Sequence, residues 1–328
     1  LATWTWKRRL ALALGTALTI WCLRELLRGV DLAEISRALQ ASSPIFLLLA
    51  VASYALSILV KAYRWRLLFA SRSVRWARLI SAILIGQTLN VWMLAYSGEL
   101  ARAYLIGERE GIDKGEALST VVLERSLDSL MLLISFLLLS LLMPLPAWLR
   151  FSGLIFGGVL ASLLLALWGA ARWKEAVRRF FAERKDKAPL WRRLDKSLVA
   201  ILECLEALRQ PRTGLKLALA SLLVWIISAL TTWLVLQATG IQAPWYASFF
   251  LVLVSQLGGA VPSAPGRLGV YHYAAVQALA VFGVAQLPAL SFAVLLHLLV
   301  YVLMGVCGAF CLWRESYRLS RRQVLEGR

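Results

Sequence analysis

Apolar residues recur along this chain in runs long enough to cross a bilayer, at 10–27, 44–63, 115–142, 151–171, 214–238 and 286–312. A span needs about 20 residues, each rising about 1.5 Å in an α-helix. Two further apolar regions are interrupted. Residues 79–106 hold Gln87, Asn90, Gly98, Glu99 and Arg102, and residues 245–283 hold Gln256, Gly258, Gly259, Pro262, Pro265, Gly266, Arg267 and Gly269.

The charges between the runs orient them. Residues 61–78 carry Lys61, Arg64, Arg66, Arg72, Arg75 and Arg78 with no acid, and 172–213 carries twice as many basic as acidic residues. The stretches 143–149, 239–244 and 284–289 carry no charge. Basic loops stay on the cytoplasmic side. Six full spans satisfy every loop if 79–106 enters and leaves on the cytoplasmic side and 245–283 does so on the outer side. The expected fold is therefore all-α and polytopic, with six full spans and two broken re-entrant helical hairpins. Each half reads span, hairpin, span, with the hairpins approaching from opposite faces, an inverted repeat of the kind transporters use. A single transmembrane domain, 1–328, is expected. It comprises a first hairpin and span at 61–143, cytoplasmic amphipathic helices at 172–210, and a second half at 214–313 with its hairpin at 245–283. Both termini are expected in the cytoplasm, in a cell (inner or plasma) membrane.

Composition agrees. Of 328 residues, 60% are hydrophobic and mean hydropathy is +0.71, whereas soluble chains are about 45–50% apolar. The net charge of +18 fits basic loops against anionic lipid; no aromatic–basic stripe supports nucleic-acid binding. The first run follows Lys7, Arg8 and Arg9 but lacks a small-residue cleavage site, so it reads as a retained span. Structural disulfides among Cys22, Cys204, Cys307 and Cys311 are not expected. Trp4, Trp6, Trp65, Trp76, Trp148, Trp173, Trp191, Trp245 and Trp313 lie near run ends, as an interfacial belt would. Motifs for nucleotides, zinc or an activated serine are missing, so neither cofactor, metal nor catalytic residue is expected.

Charges inside hydrocarbon are costly, about 2.5–3.5 kcal/mol on insertion scales, and demand a reason. Glu99 and Arg102 are three apart and can pair on one helix face. With Asn90 and the turn-permitting Gly98 they suggest a headgroup cradle, or else a self-neutralising structural pair. Glu124 and Asp128 repel at i,i+4, and Arg125 offsets one of them. The remaining negative charge needs a distant partner, for which Arg102, Arg64 and Arg267 are candidates. In the second hairpin, Pro262, Ser263, Pro265, Gly266 and Gly269 prevent a continuous helix, and Arg267 sits at the break with donors suited to phosphate. Tyr271 and His272 follow it; His297 reads as a packing residue. The amphipathic pattern at 172–210 reads as an anchor on the inner leaflet or as a docking face for a partner enzyme.

In combination and order, Arg64-Trp65 with Leu67-Leu68, Asn90, Gly98-Glu99 with Arg102, Glu124-Arg125 with Asp128, and Pro265-Gly266 with Gly269 make a chain that resembles the lysylphosphatidylglycerol-synthase transmembrane family, also called flippase-like or UPF0104 proteins. The likeness covers residues 10 to 312. It departs where the family has a proline and an arginine before Gly-Glu, here Leu94 and Tyr96, and where a glutamate is common, here His272. The resemblance implies a non-enzymatic membrane domain that binds polar or anionic lipids and moves them between leaflets, without the soluble aminoacyl-transferase domain of fused relatives. Arg267, Arg102, Glu99, Asn90, Arg125, Glu124, Asp128, Arg64, Ser263, His272 and Tyr271 form the expected headgroup site. Expected partners are a membrane phospholipid or glycolipid, a lipid-modifying membrane enzyme and, through small-residue patches, a second copy of the chain. Two other readings stand beside this one: a non-transporting domain that presents lipid to a glycosyl- or acyltransferase, and a small-solute transporter.

Overall fold

The computed structural model describes residues 6–28, 32–69, 73–92, 97–147, 149–151, 153, 155, 157–158, 162, 210–258 and 264–326. Its long elements are all helices: α1 (Trp6–Leu27), α2 (Leu32–Gln40), α3 (Pro44–Leu68), α4 (Trp76–Trp92), α5 (Ser97–Glu110), α6 (Lys114–Leu142), α7 (Pro211–Ala238), α8 (Tyr246–Gly258), α9 (Val270–Ala280) and α10 (Gln286–Glu326). A 3-10 turn, Pro265–Arg267, lies between α8 and α9. No strand occurs among the described residues.

Four helices are long and apolar enough to cross a membrane: α3, α6, α7 and the Gln286–Ser316 part of α10. They coincide with the expected runs at 44–63, 115–142, 214–238 and 286–312. The run at 10–27 falls in α1. Most of 151–171 and all of 172–209 lie outside the described residues, as do Pro262 and Ser263. Local chemistry sets the starts. Proline opens α3 and α7, where its missing N–H costs nothing. Asp113 caps α6 by accepting from the Gly115 and Glu116 N–H groups at 2.8 and 3.3 Å.

Both interrupted regions form helical hairpins. In the first, α5 doubles back along α4. Gly98 N–H donates to Asn90 Oδ1 at 2.8 Å, and at the other end Arg78 pairs with Glu110 at 3.2 Å. The backbones nearly touch: a Cβ on Gly98 would fall into the Gly86 carbonyl. In the second, α8 packs on α9, with Tyr246 and Phe250 at one end against Phe282 (ring centroids 6.0 and 5.5 Å). Neither hairpin contains a helix as long as the 29-residue α6: α4 has 17 residues, α5 14, α8 13 and α9 11. At about 1.5 Å per residue the last three rise only about 17–21 Å, short of the ~30 Å hydrocarbon core.

The chain divides into two compact units. One comprises Leu1–Ser57, Val91–Ala95 and Ile226–Cys307; the other comprises Ile58–Asn90, Tyr96–Trp225 and Gly308–Arg328. The hairpin α4–α5 belongs mainly to the second unit and α8–α9 to the first.

Candidate functional site

In the second unit, α3, α5 and α6 bring three arginines and three carboxylates together. Arg64, 1% exposed, reaches Glu124 Oε1 at 3.0 Å and Asp128 Oδ1 at 2.5 Å. Arg102 reaches the other oxygen of Glu124 at 2.8 Å. Glu124 is thus bridged by two guanidinium groups from different helices. Spacing of Glu124 and Asp128 on one face of α6 creates the repulsion, and Arg64 removes it by answering both. The three guanidinium groups and three carboxylates offset one another, with Lys61 also within electrostatic reach of Asp128 and Glu124, and such mutual pairing lets charges persist in a low-dielectric interior.

Two groups sit at the edge of the cluster. Arg125 is 46% exposed, 3.2 Å from Asp128 and 4.0 Å from Glu99 Oε1. Glu99, in the first turn of α5, keeps its second oxygen buried without a hydrogen-bond partner. The expected pairing of Glu99 with Arg102 is not what forms: Arg102 turns to Glu124, and Glu99 faces Arg125. Position along one helix made Glu99 and Arg102 neighbours, but a partner on α6 offers Arg102 a buried carboxylate.

Trp65 also departs from expectation. Assigned to the interfacial belt, it is fully buried. Its indole N–H donates to Thr120 Oγ1 at 2.9 Å, and the Arg102 guanidinium lies 4.9 Å from its ring centroid. The ring is a floor for the cluster, which its position near a run end did not reveal. Trp76, Trp245 and Trp313 are exposed, as a belt requires. Asn90 spends its side-chain oxygen on Gly98, satisfying a free N–H at the start of α5. Gly86, the other half of the close approach, and Thr120 carried no sequence signal of their own.

The first unit holds the rest. Gly266 and Gly269 have φ of +76° and +77°, and Arg267, at +55°, is a non-glycine residue in the left-handed region, a conformation that costs energy. The break is pinned to α1: Ala264 N–H donates to Thr19 Oγ1 at 3.1 Å, and a Cβ on Gly269 would come 2.8 Å from the Thr19 carbonyl oxygen. Arg267 is half-buried there. His272 is buried and stacks on His297 with centroids 4.8 Å apart; His297 stacks in turn on Tyr301 at 3.8 Å. Tyr271 lies 5.3 Å from His297 and bonds to Ser255. His297 therefore packs, as expected, and what it packs on is the second histidine. Gln256 and Gln277 are exposed, and Ser263 lies outside the described residues. No group of three or more metal-ligating side chains occurs among the described residues.

Comparison with known proteins adds a family. The family model described as the lysylphosphatidylglycerol synthase TM region matches residues 9–308. A glycosyltransferase, AglD, of Haloferax volcanii is 25% identical over 326 residues, covering 88% of this chain and 52% of that protein. A UPF0104 membrane protein of Methanothermobacter thermautotrophicus is 24% identical over 274 residues, covering 74% of this chain and 80% of that one. The chain thus spans about half the length of the first relative and most of the second.

Proposed function

This chain belongs to the lysylphosphatidylglycerol synthase transmembrane-region family, and from that membership we propose that it binds polar or anionic lipids and moves them between leaflets. The family and the relatives make it a membrane protein of lipid or glycolipid metabolism. The observation that carries the finer reading is the charge cluster of α3, α5 and α6. Arg64, Arg102 and Glu124 pair with one another while buried and hold the scaffold. Arg125, exposed at the rim, and Glu99, with an unanswered oxygen, are the groups placed to meet a headgroup: the guanidinium takes a phosphate and the carboxylate takes a hydroxyl or ammonium.

In this reading six spans cross the membrane, α4–α5 enters from the cytoplasmic side and α8–α9 from the outer side, as the loop charges require. Helices too short to cross, ending at polar breaks, support such re-entry. Arg267, at the strained turn of α8–α9, serves a headgroup from the outer leaflet. Asn90 positions α5, while Tyr271 and His272 line the packing beneath Arg267's turn. Asp128 tunes Arg125 by pairing with it at 3.2 Å. The domain handles lipid and does not itself carry out chemistry.

Headgroup translocation in reconstituted vesicles tests this. Arg125→Ala should slow translocation of an anionic phospholipid about tenfold, the worth of one charge-assisted hydrogen bond, with Arg125→Lys retaining part of the rate. An unchanged rate in Arg125→Ala would remove the assignment. A second reading, a domain that presents lipid to a transferase without moving it, is favoured by the relative named as a glycosyltransferase. It predicts no translocation by the isolated protein, with lipid still bound.

A further inference from the structure

The second unit carries a groove apart from the charge cluster. It is open-sided, with a volume of about 570 Å³, and is lined by Leu59, Val60, Tyr63, Trp76, Lys216, Leu219, Ala220 and Leu223, from α3, the start of α4 and the start of α7. That is within the size range of small-ligand sites, about 300–1,000 Å³.

Its chemistry is graded from end to end. Lys216 and Ala220 are four residues apart on α7 and share a face; Leu59 and Tyr63 do the same on α3. Tyr63 and Lys216 mark one end, and Leu59 and Leu223 mark the other. The polar end is reinforced. Tyr63 stacks on Trp76, with centroids 6.2 Å apart and planes 10° from parallel, and the Arg66 guanidinium lies 5.3 Å from the Trp76 ring centroid. Lys216 is exposed and Arg66 half-buried. No acidic residue lines the groove. The surrounding stretch, 61–78, is basic throughout. An apolar groove with Lys216 at one end, the Tyr63–Trp76 pair beside it and Arg66 against the Trp76 ring is complementary to one molecule class, an amphiphile with a long hydrocarbon chain and a negative head.

We propose that this groove is a binding site for a single anionic phospholipid of the leaflet at the basic ends of α3 and α7. One acyl chain lies along Leu59, Val60, Leu219 and Leu223 over Ala220, with the phosphate at Lys216 and Arg66. Tyr63 and Trp76 sit at the ester level, where amphipathic rings are favoured. Lysine and arginine near a membrane surface favour anionic lipid by roughly fivefold each. The site does not depend on the translocation reading: it shares no residue with the Glu99–Arg125 rim.

The test is native mass spectrometry of the purified full chain, titrated with phosphatidylglycerol or with phosphatidylcholine of the same acyl chains. The wild type should hold one phosphatidylglycerol in preference to phosphatidylcholine. Lys216→Gln should reduce that preference about fivefold while leaving phosphatidylcholine binding unchanged. Leu223→Trp, which fills the groove from its exposed rim, should weaken both lipids, whereas Leu215→Trp, exposed on α7 but outside the groove, should weaken neither. Equal binding of the two lipids by the wild type, or an undiminished preference in Lys216→Gln, would overturn the proposal. If Leu223→Trp does not fold, Lys216→Gln decides alone. Loss of the preference with headgroup translocation intact would separate this site from the proposed pathway.

Discussion

Glu124 is the residue on which the charge cluster turns. It answers Arg64 and Arg102 at once, and it is 1% exposed. Glu124→Gln would leave two buried guanidinium groups short of a carboxylate, and breaking a buried pair costs about 3–5 kcal/mol. The expected outcome is a large fall in the thermal unfolding temperature in detergent. Arg125→Gln removes a charge too, but from a side chain 46% exposed, so its effect on unfolding should be smaller than that of Glu124→Gln. Equal destabilisation by the two changes would contradict the division into scaffold and contact groups. The i,i+4 repulsion of Glu124 and Asp128 was legible along the chain, and so was the need for a distant cation. Which cation was not: Arg64 and Arg102 were two of three candidates, and separation in sequence does not rank them.

At the scale of elements, the first hairpin depends on two glycines facing each other. A methyl group on Gly98 would overlap the Gly86 carbonyl, so α4 and α5 must separate, and the Asn90 bond to the Gly98 N–H must lengthen. Gly98→Ala should therefore destabilise the protein and disturb the cluster through Glu99 and Arg102. Gly305→Ala is the control: nothing lies within 4 Å of its Cβ position, and alanine is the better helix former by about 1 kcal/mol, so its melting temperature should hold or rise. Equal behaviour of the two variants would show that the close approach carries no weight. Gly98 stood out in the sequence because it interrupts an apolar run beside charges. Gly86 lies mid-helix in an ordinary run and only the packing identifies it. The break at Pro265–Gly269 was legible, because Pro262, Pro265, Gly266 and Gly269 leave no continuous helix, and the left-handed Gly266 and Gly269 bear this out.

For the whole molecule, the loop charges make a topological prediction. In a chain freed of its native cysteines, Ala147→Cys and Gln242→Cys should react with a membrane-impermeant maleimide on intact cells, and Ser73→Cys and Thr213→Cys only after permeabilisation. Ser73 and Gln242 lie between described helices, Ala147 follows α6, and Thr213 is in the first turn of α7. Labelling of Ser73→Cys from outside would reverse the orientation of α4–α5 and with it the assignment of the two hairpins to opposite faces.

Hydropathy and the placement of prolines, glycines and charges determined on their own that this is a helical membrane protein, where four of its long helices run, and that two regions cannot cross unbroken. These follow from local rules: each apolar run must be lipid-facing or buried, and each proline or glycine acts within its own turn. The sequence also assembled the residues of the charge cluster as candidates. Tertiary structure decided who pairs with whom. It took Arg102 from Glu99 and gave it to Glu124, moved Trp65 from the belt to the floor of the cluster, and set His272 against His297. Those outcomes depend on which helices lie side by side, and a buried charge selects the partner that packing delivers within about 3 Å, however far away that partner lies along the chain.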